Sequence, residues 1–450
     1  MSPERTTTED LAYAAVVAAA DATSGWETDE GLRPAPEYRP AGRGGPRDLA
    51  GRRPPALSGP DLEAALHAIG RRDGELRAFT FVDRTPEGDG PLASVKDVIH
   101  VRGMATRGGS AGYESQPEED AAAVGLLRRA GYRILGKTET HELALGVTTP
   151  QSRNPHDPTR LAGGSSGGAA ISVACGMAAV GLGTDTRASI RVPAALCGVV
   201  GFKPTYGTVP VEGVVTLSWT MDHVAPMAAS VGDVAQVVET LAGTAVAGAW
   251  GAEVAGARVG VVTAGFEGCE VDVLRACRRG LELLRDAGVE LIEVDTLGSG
   301  ELELANQAGL VISRAEAAAF HAGRGTPVGL LTAETAGQLR AASEIGAVAY
   351  LQAQRARARL ARNLLGEAVG LELDAWVLPT APVVAPPAAE AERYLTVLSR
   401  NAIPWSLTGF PAVSVPTPSA GLPVGLQFAA PPGEDATLVA LGSALEAAAR

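Results

Sequence analysis

Two glycine-rich turns limit how this chain can fold. The first, AGGSSGGAA, sets four glycines and two serines within residues 162–170; the second, GLGTDTRASIRVPA, occupies 181–194 after an apolar run. Glycine permits positive φ and lets one backbone approach another closely. Each turn carries a hydroxyl, Ser165 in the first and Ser189 in the second. A third stretch, ASVKDVI, sets Lys96 among apolar residues. Burial there lowers an amine's pKa and makes it a base. A nucleophilic serine needs a base within hydrogen-bond reach and donors aimed at the developing oxyanion. The three stretches together supply those parts.

The run GGSSGG, GTDT, SIR, PAA and LCGVVGFKPTYG, in that order, resembles the amidase signature family. The likeness covers about Leu57 to Ala229 and resumes from Tyr350 to near the C-terminus. It implies a large mixed central β-sheet covered by helices on both faces, in a single α/β domain. It also implies amide hydrolysis by a Ser–Ser–Lys triad, with no cofactor and no metal. Carried over position by position, Ser189 is the nucleophile, Ser165 the bridging serine and Lys96 the base. Ser165 and Ser189 lie 24 residues apart, which agrees with the family arrangement. The bridging serine would follow a cis bond after Gly164. Backbone N–H groups of the Thr186–Ser189 turn, with Thr186, Arg187 and Ala188, would face the oxyanion. Asp185 is expected to accept backbone N–H bonds, Arg191 to sit in a buried ion pair, and Asp222 to support the site. Ser166 is expected to donate to the turn or to cap the following helix.

Two departures from the family pattern matter. Only Arg84–Gly90 joins Asp83 to Pro91, where the family often has a helix. Arg187-Ala188 stands where the family has a glycine pair. Arg187 has two options: to pair with an acidic protein group outside the pocket, or to project toward the substrate and favour a carboxylate.

The formal charge of −13 argues against a nucleic-acid-binding surface. Cys175, Cys197, Cys269 and Cys277 show no metal spacing and fit buried thiols in a reducing cytoplasm. Leu11–Ala20 follows Glu4, Glu9 and Asp10, not the basic region of a secretory signal. Gly167–Thr184 is uncharged but Gly/Ala/Ser-rich, and reads as a buried helix and strand, not a membrane span. Residues 31–60 hold seven prolines with no periodic apolar face. The chain therefore divides into a 1–56 arm, an Ala-rich helix capped near Thr8 plus a linker lying over the body, and a 57–450 catalytic domain. Alternating helices and strands beyond residue 60 imply a sheet covered on both faces.

Gly131-Tyr-Arg-Ile-Leu-Gly-Lys137-Thr138 matches a P-loop letter for letter. Its context is wrong: a helix ends at Gly131 and the next residues read as a strand, so no helix N-terminus faces a phosphate. His141 and His223 lie inside family motifs, but none of the six histidines has ligand or triad spacing, which disfavours a Ser-His-Asp hydrolase. The expected partner is a small-molecule amide, with a homodimer left open. The rival readings are the glutamine-hydrolysing component of a tRNA-dependent amidotransferase, an acyl transferase, and a non-catalytic binding protein on the same fold.

Overall fold

The computed structural model describes residues 8–24, 52–57 and 59–450. Of the expected linker at 31–60, residues 31–51 and 58 lie outside the described residues, and the division at residue 56 stays an expectation. The expected N-terminal helix spans Thr8–Ser24. Its Val16 and Ala19 are buried in one cluster with residues of the 299–324 and 347–370 helices.

Eleven strands form one sheet: β1 (Phe79–Val82), β2 (Leu92–Lys96), β3 (Arg133–Thr138), β4 (Val180–Asp185), β5 (Val200–Lys203), β6 (His223–Ala228), β7 (Arg258–Val262), β8 (Glu290–Val294), β9 (Ala375–Pro379), β10 (Ala412–Thr417) and β11 (Val424–Ala429). Their order is β1-β3-β2-β4-β6-β5-β10-β11-β9-β7-β8. The sheet is mixed. β2 runs parallel to β3 and β4, β7 runs parallel to β8 and β9, and the centre is antiparallel through β6, β5, β10 and β11.

Both faces of the sheet are covered, and β9 shows how. Successive strand side chains point to opposite faces. Ala375 and Val377 join a cluster with Val234 and Val238 of the 231–242 helix and Leu438 and Leu441 of the 435–448 helix. Trp376 and Leu378 join the opposite cluster, with Leu360 and Leu364 of the 347–370 helix. There Trp376 packs on Trp405 and Phe410 with ring centroids 5.5 and 5.9 Å away. Residues 84–90 form no helix, as their shortness requires. Among the described residues, no helix is long and apolar enough to cross a membrane.

The P-loop lookalike is a strand. Gly131 has φ +91° after the 122–129 helix, and Lys137 is fully buried within β3. Its Nζ lies 2.9 Å from Asp97 Oδ1 and donates to Thr106 Oγ1 at 2.8 Å.

Candidate active site

Strand direction places the site. β2 and β4 are neighbours and parallel, so both carboxyl ends open on one edge of the sheet. Ligands of open α/β sheets bind beyond the carboxyl ends of strands. Lys96 is the last residue of β2, and Thr184 and Asp185 end β4. β6 runs the other way and pairs His223 with Asp185, which brings Asp222 to the same edge.

At that edge Lys96 is fully buried. Its Nζ donates to Ser165 Oγ at 2.7 Å and to Thr184 Oγ1 at 2.8 Å. Burial pushes the ammonium down to about 7, against the upward pull of the Asp222 and Asp185 carboxylates. The Gly164–Ser165 peptide is cis. The Ser165 carbonyl accepts from His141 N–H at 3.1 Å and from Thr149 Oγ1 at 3.2 Å. Ser166 N–H then donates to the carbonyl of Ser189 at 3.3 Å, which stitches the two glycine-rich turns together. Ser166 occupies the N-cap position of the 167–174 helix without a capping hydrogen bond; its hydroxyl donates to Thr184 O at 3.2 Å instead. The close approach explains Gly183: a Cβ there would stand 2.7 Å from Ser166 Oγ and 2.8 Å from Ile190 Cδ1.

The turn that carries Ser189 is anchored from below. Arg191 is fully buried and forks onto Asp185, Nε to Oδ2 at 2.9 Å and Nη2 to Oδ1 at 3.0 Å. Its remaining donors reach Ala402 O, Gln427 Oε1 and Ser406 Oγ. Burial alone would raise the Asp185 carboxyl, but the Arg191 guanidinium holds it well below the usual carboxylate range. Asp185 Oδ2 also accepts Ile190 N–H at 3.3 Å. Asp222 fixes the other side, accepting Thr186 Oγ1 at 2.6 Å and the N–H groups of Leu217 and Ser218. Burial lifts its carboxyl to about 6 in spite of those bonds. The backbone N–H groups of Thr186, Arg187, Ala188 and Ser189 find no acceptor among the described residues. Ser189 itself is 4% exposed. The two motif histidines are engaged elsewhere: His141 with Thr148 and Glu334, His223 with Lys203 and Asp185 O.

Two site contacts and one neighbouring charge escape the sequence reading. Thr184 lies inside the GTDT motif, yet nothing in the motif says its hydroxyl meets Lys96. Thr149 ties Ser165 O to the N–H of Gly167. Arg314 sits on the 299–324 helix, and its only trace in sequence is a charge inside the run LVISRAEAAAF. The acidic partner considered for Arg187 is not found among the described residues. Arg187 is 5% exposed, and neither its Nε nor its Nη2 reaches an acceptor among the described residues.

A mixed sheet with this polar edge belongs to a class of enzymes that act on amide C–N bonds, and the comparisons agree. The family model described as Amidase matches residues 86–439. The A-type component of the glutamyl-tRNA(Gln) amidotransferase of Acidothermus cellulolyticus is 36% identical over 86% of this chain and 88% of that protein. The protein of the same name from Chloroflexus aurantiacus is 35% identical over 86% of this chain and 89% of its own length. A solved structure described as a crystal structure of amidase superposes with TM-score 0.78 at 34% identity, covering 86% of this chain and 95% of that one. The chain belongs to the amidase signature family and is an enzyme for carbon–nitrogen amide bonds.

Proposed function

We propose that this chain hydrolyses a carboxamide through an acyl-enzyme on Ser189, with Ser165 and Lys96 as the proton relay. The observation that carries the reading is the buried Lys96 Nζ at 2.7 Å from Ser165 Oγ, on the turn bonded to Ser189 O. Neutral Lys96 takes a proton from Ser165 as Ser165 takes one from Ser189. The Ser189 Oγ–carbon bond forms, and the oxyanion is met by the open N–H groups of the 186–189 turn. The C–N bond breaks as the proton returns through Ser165 to the leaving nitrogen. Water then adds to the ester and releases the carboxylate and free Ser189. Asp185, Arg191 and Asp222 hold the turn and touch no reacting atom. The described side chains offer this chemistry without a cofactor.

A second reading has its own support. The two relatives above are named as components of a glutamyl-tRNA(Gln) amidotransferase, and their identity extends over most of both chains. On that reading the same relay releases ammonia from glutamine within a larger assembly in the cytoplasm. A fluorophosphonate probe tests the shared chemistry: it should label the purified chain, and labelling should vanish in Ser189→Ala. Labelling that survives that substitution rejects Ser189 as nucleophile. Amide turnover by the isolated chain supports the free-standing enzyme. Glutaminase activity that appears only with a co-purified partner protein supports the second reading.

A further inference from the structure

Arg187 is a buried cation with two unsatisfied donor atoms, two residues before the proposed nucleophile. Buried polar groups are almost always hydrogen-bonded, and an exception asks for a reason. The surroundings sharpen the question. Burial, and then the like charge of Arg314, pull the Arg187 guanidinium down to about 9. Arg314 is itself 4% exposed, held by Gln338 Oε1 and Leu145 O. Glu334, whose charge acts on Arg314, already serves His141 Nε2 at 3.4 Å and Gln338 Nε2 at 3.2 Å. Arg187 Nε and Nη2 thus meet no acceptor among the described residues, and the charge acting on the guanidinium is a like one.

We propose that Arg187 and Arg314 form a carboxylate subsite beside Ser189, so that the preferred substrate is an amide whose acyl portion carries a carboxylate with no ammonium next to it. The inference rests on the acyl-enzyme reading above. Three physical points fix its terms. Two peptide units separate Arg187 from Ser189, so their Cα atoms stand at most about 7.6 Å apart, within the reach of one small substrate. A guanidinium presents its donors in a planar fork that matches a carboxylate, and Nε with Nη2 is one such pair. The leaving nitrogen must face Ser165 and Lys96 to receive its proton. Lys96 has Asp222 and Asp185 as its charged neighbours, whereas Arg187 has Arg314, so the anion belongs on the acyl side. A zwitterion such as glutamine would bring an ammonium to two like charges, which disfavours it.

The test compares kcat/KM of the full chain on succinamate against butyramide, on glutaramate against valeramide, and on glutamine. The better half-amide should exceed its neutral match by roughly 10- to 100-fold, mostly through KM, and should exceed glutamine. Arg187→Met and Arg314→Met should each collapse that ratio toward one. Calorimetry of succinate and glutarate with Ser189→Ala reads the subsite without turnover; binding should disappear when Arg187→Met is added. Equal turnover of charged and neutral amides, preference for glutamine, or dicarboxylate binding that survives both arginine substitutions overturns the subsite and leaves the amidase reading standing. Dicarboxylate binding that depends on Arg187, with no amide turned over, supports the subsite and sinks the amidase reading instead. Should Arg187→Met fail to fold, Arg314→Met carries the same comparison.

Discussion

The turn at 183–191 and the helices at 299–324 and 333–343 are held in different ways: the turn mixes local and long-range polar contacts, and the helices lean on long-range ones. In the turn, short-range polar contacts stand beside long-range ones, since Arg191 also reaches Ala402, Ser406 and Gln427. Asp185 takes Ile190 N–H and Arg191, and Ser166 takes and gives bonds at Thr184. In the helices, contacts bind residues far apart. Arg314 reaches Leu145, Gln338 and Leu145 pair across nearly two hundred positions, and Glu316 accepts from Ser218 and Thr220. On the proposed function the turn carries the chemistry, mostly in a motif-encoded form. On the proposed subsite Arg314 carries selectivity, in a code that only the folded chain assembles.

The largest effect expected breaks the comparison on the side of the turn. Ser165→Ala removes the hydroxyl that Lys96 contacts and leaves the amine without a path to Ser189. Residues acting as a unit lose most of their effect together. Turnover should fall by about a thousandfold or more, roughly 4 kcal/mol at 1.36 kcal/mol per decade, while the melting temperature stays close to wild type. Near-full kcat in Ser165→Ala would remove Ser165 from the relay.

Arg191→Met should come next, and its cost should appear in stability. Deleting one member of a buried ion pair strands the other charge, at about 3–5 kcal/mol. Here Asp185 would keep only Ile190 N–H and Ser406 Oγ as near partners. Denaturant unfolding measures it. A loss below about 1 kcal/mol would mean that the turn holds itself without this anchor, by its local contacts alone.

The same contrast explains what could be read from the sequence. Lys96, Ser165 and Ser189 could be singled out because each lies in a short motif that resembles the amidase signature family's. Asp185 and Arg191 were legible for the same reason. The order of strands was not: β5, β6, β8 and β11 are only 4–6 residues long. Three of them are buried at every position, so they lack the alternation that marks a half-exposed strand. The helices at 231–242, 299–324 and 333–343 went unread too. Long-range pairing decided Arg187 as well. Its sequence neighbours could not reveal whether an acid from a distant element would meet it, and none does among the described residues.

The smallest expected effect sharpens the comparison, because it tests a contact between the turn and β2 that no motif announces. Free-enzyme kcat/KM should rise with pH as Lys96 loses its proton, with a midpoint near the value of about 7 that burial imposes. Below that point the slope should be tenfold per unit, so activity at pH 5 should stand about 100-fold under the plateau. Thr184→Val removes one of the two oxygens that accept from Lys96 Nζ. A hydrogen bond to the charged form favours that form. Its loss should depress the amine further and carry the rising limb to lower pH. A net hydrogen bond is worth about 0.5–1.5 kcal/mol, so the displacement should be up to about one pH unit. The plateau should fall less than tenfold, since Ser165 still receives the proton path. A rising limb displaced to higher pH would mean that Thr184 supports the neutral amine by donating to it, and would reverse the direction of that hydrogen bond. An unmoved limb with the protein folded would assign the observed ionisation to a group other than Lys96.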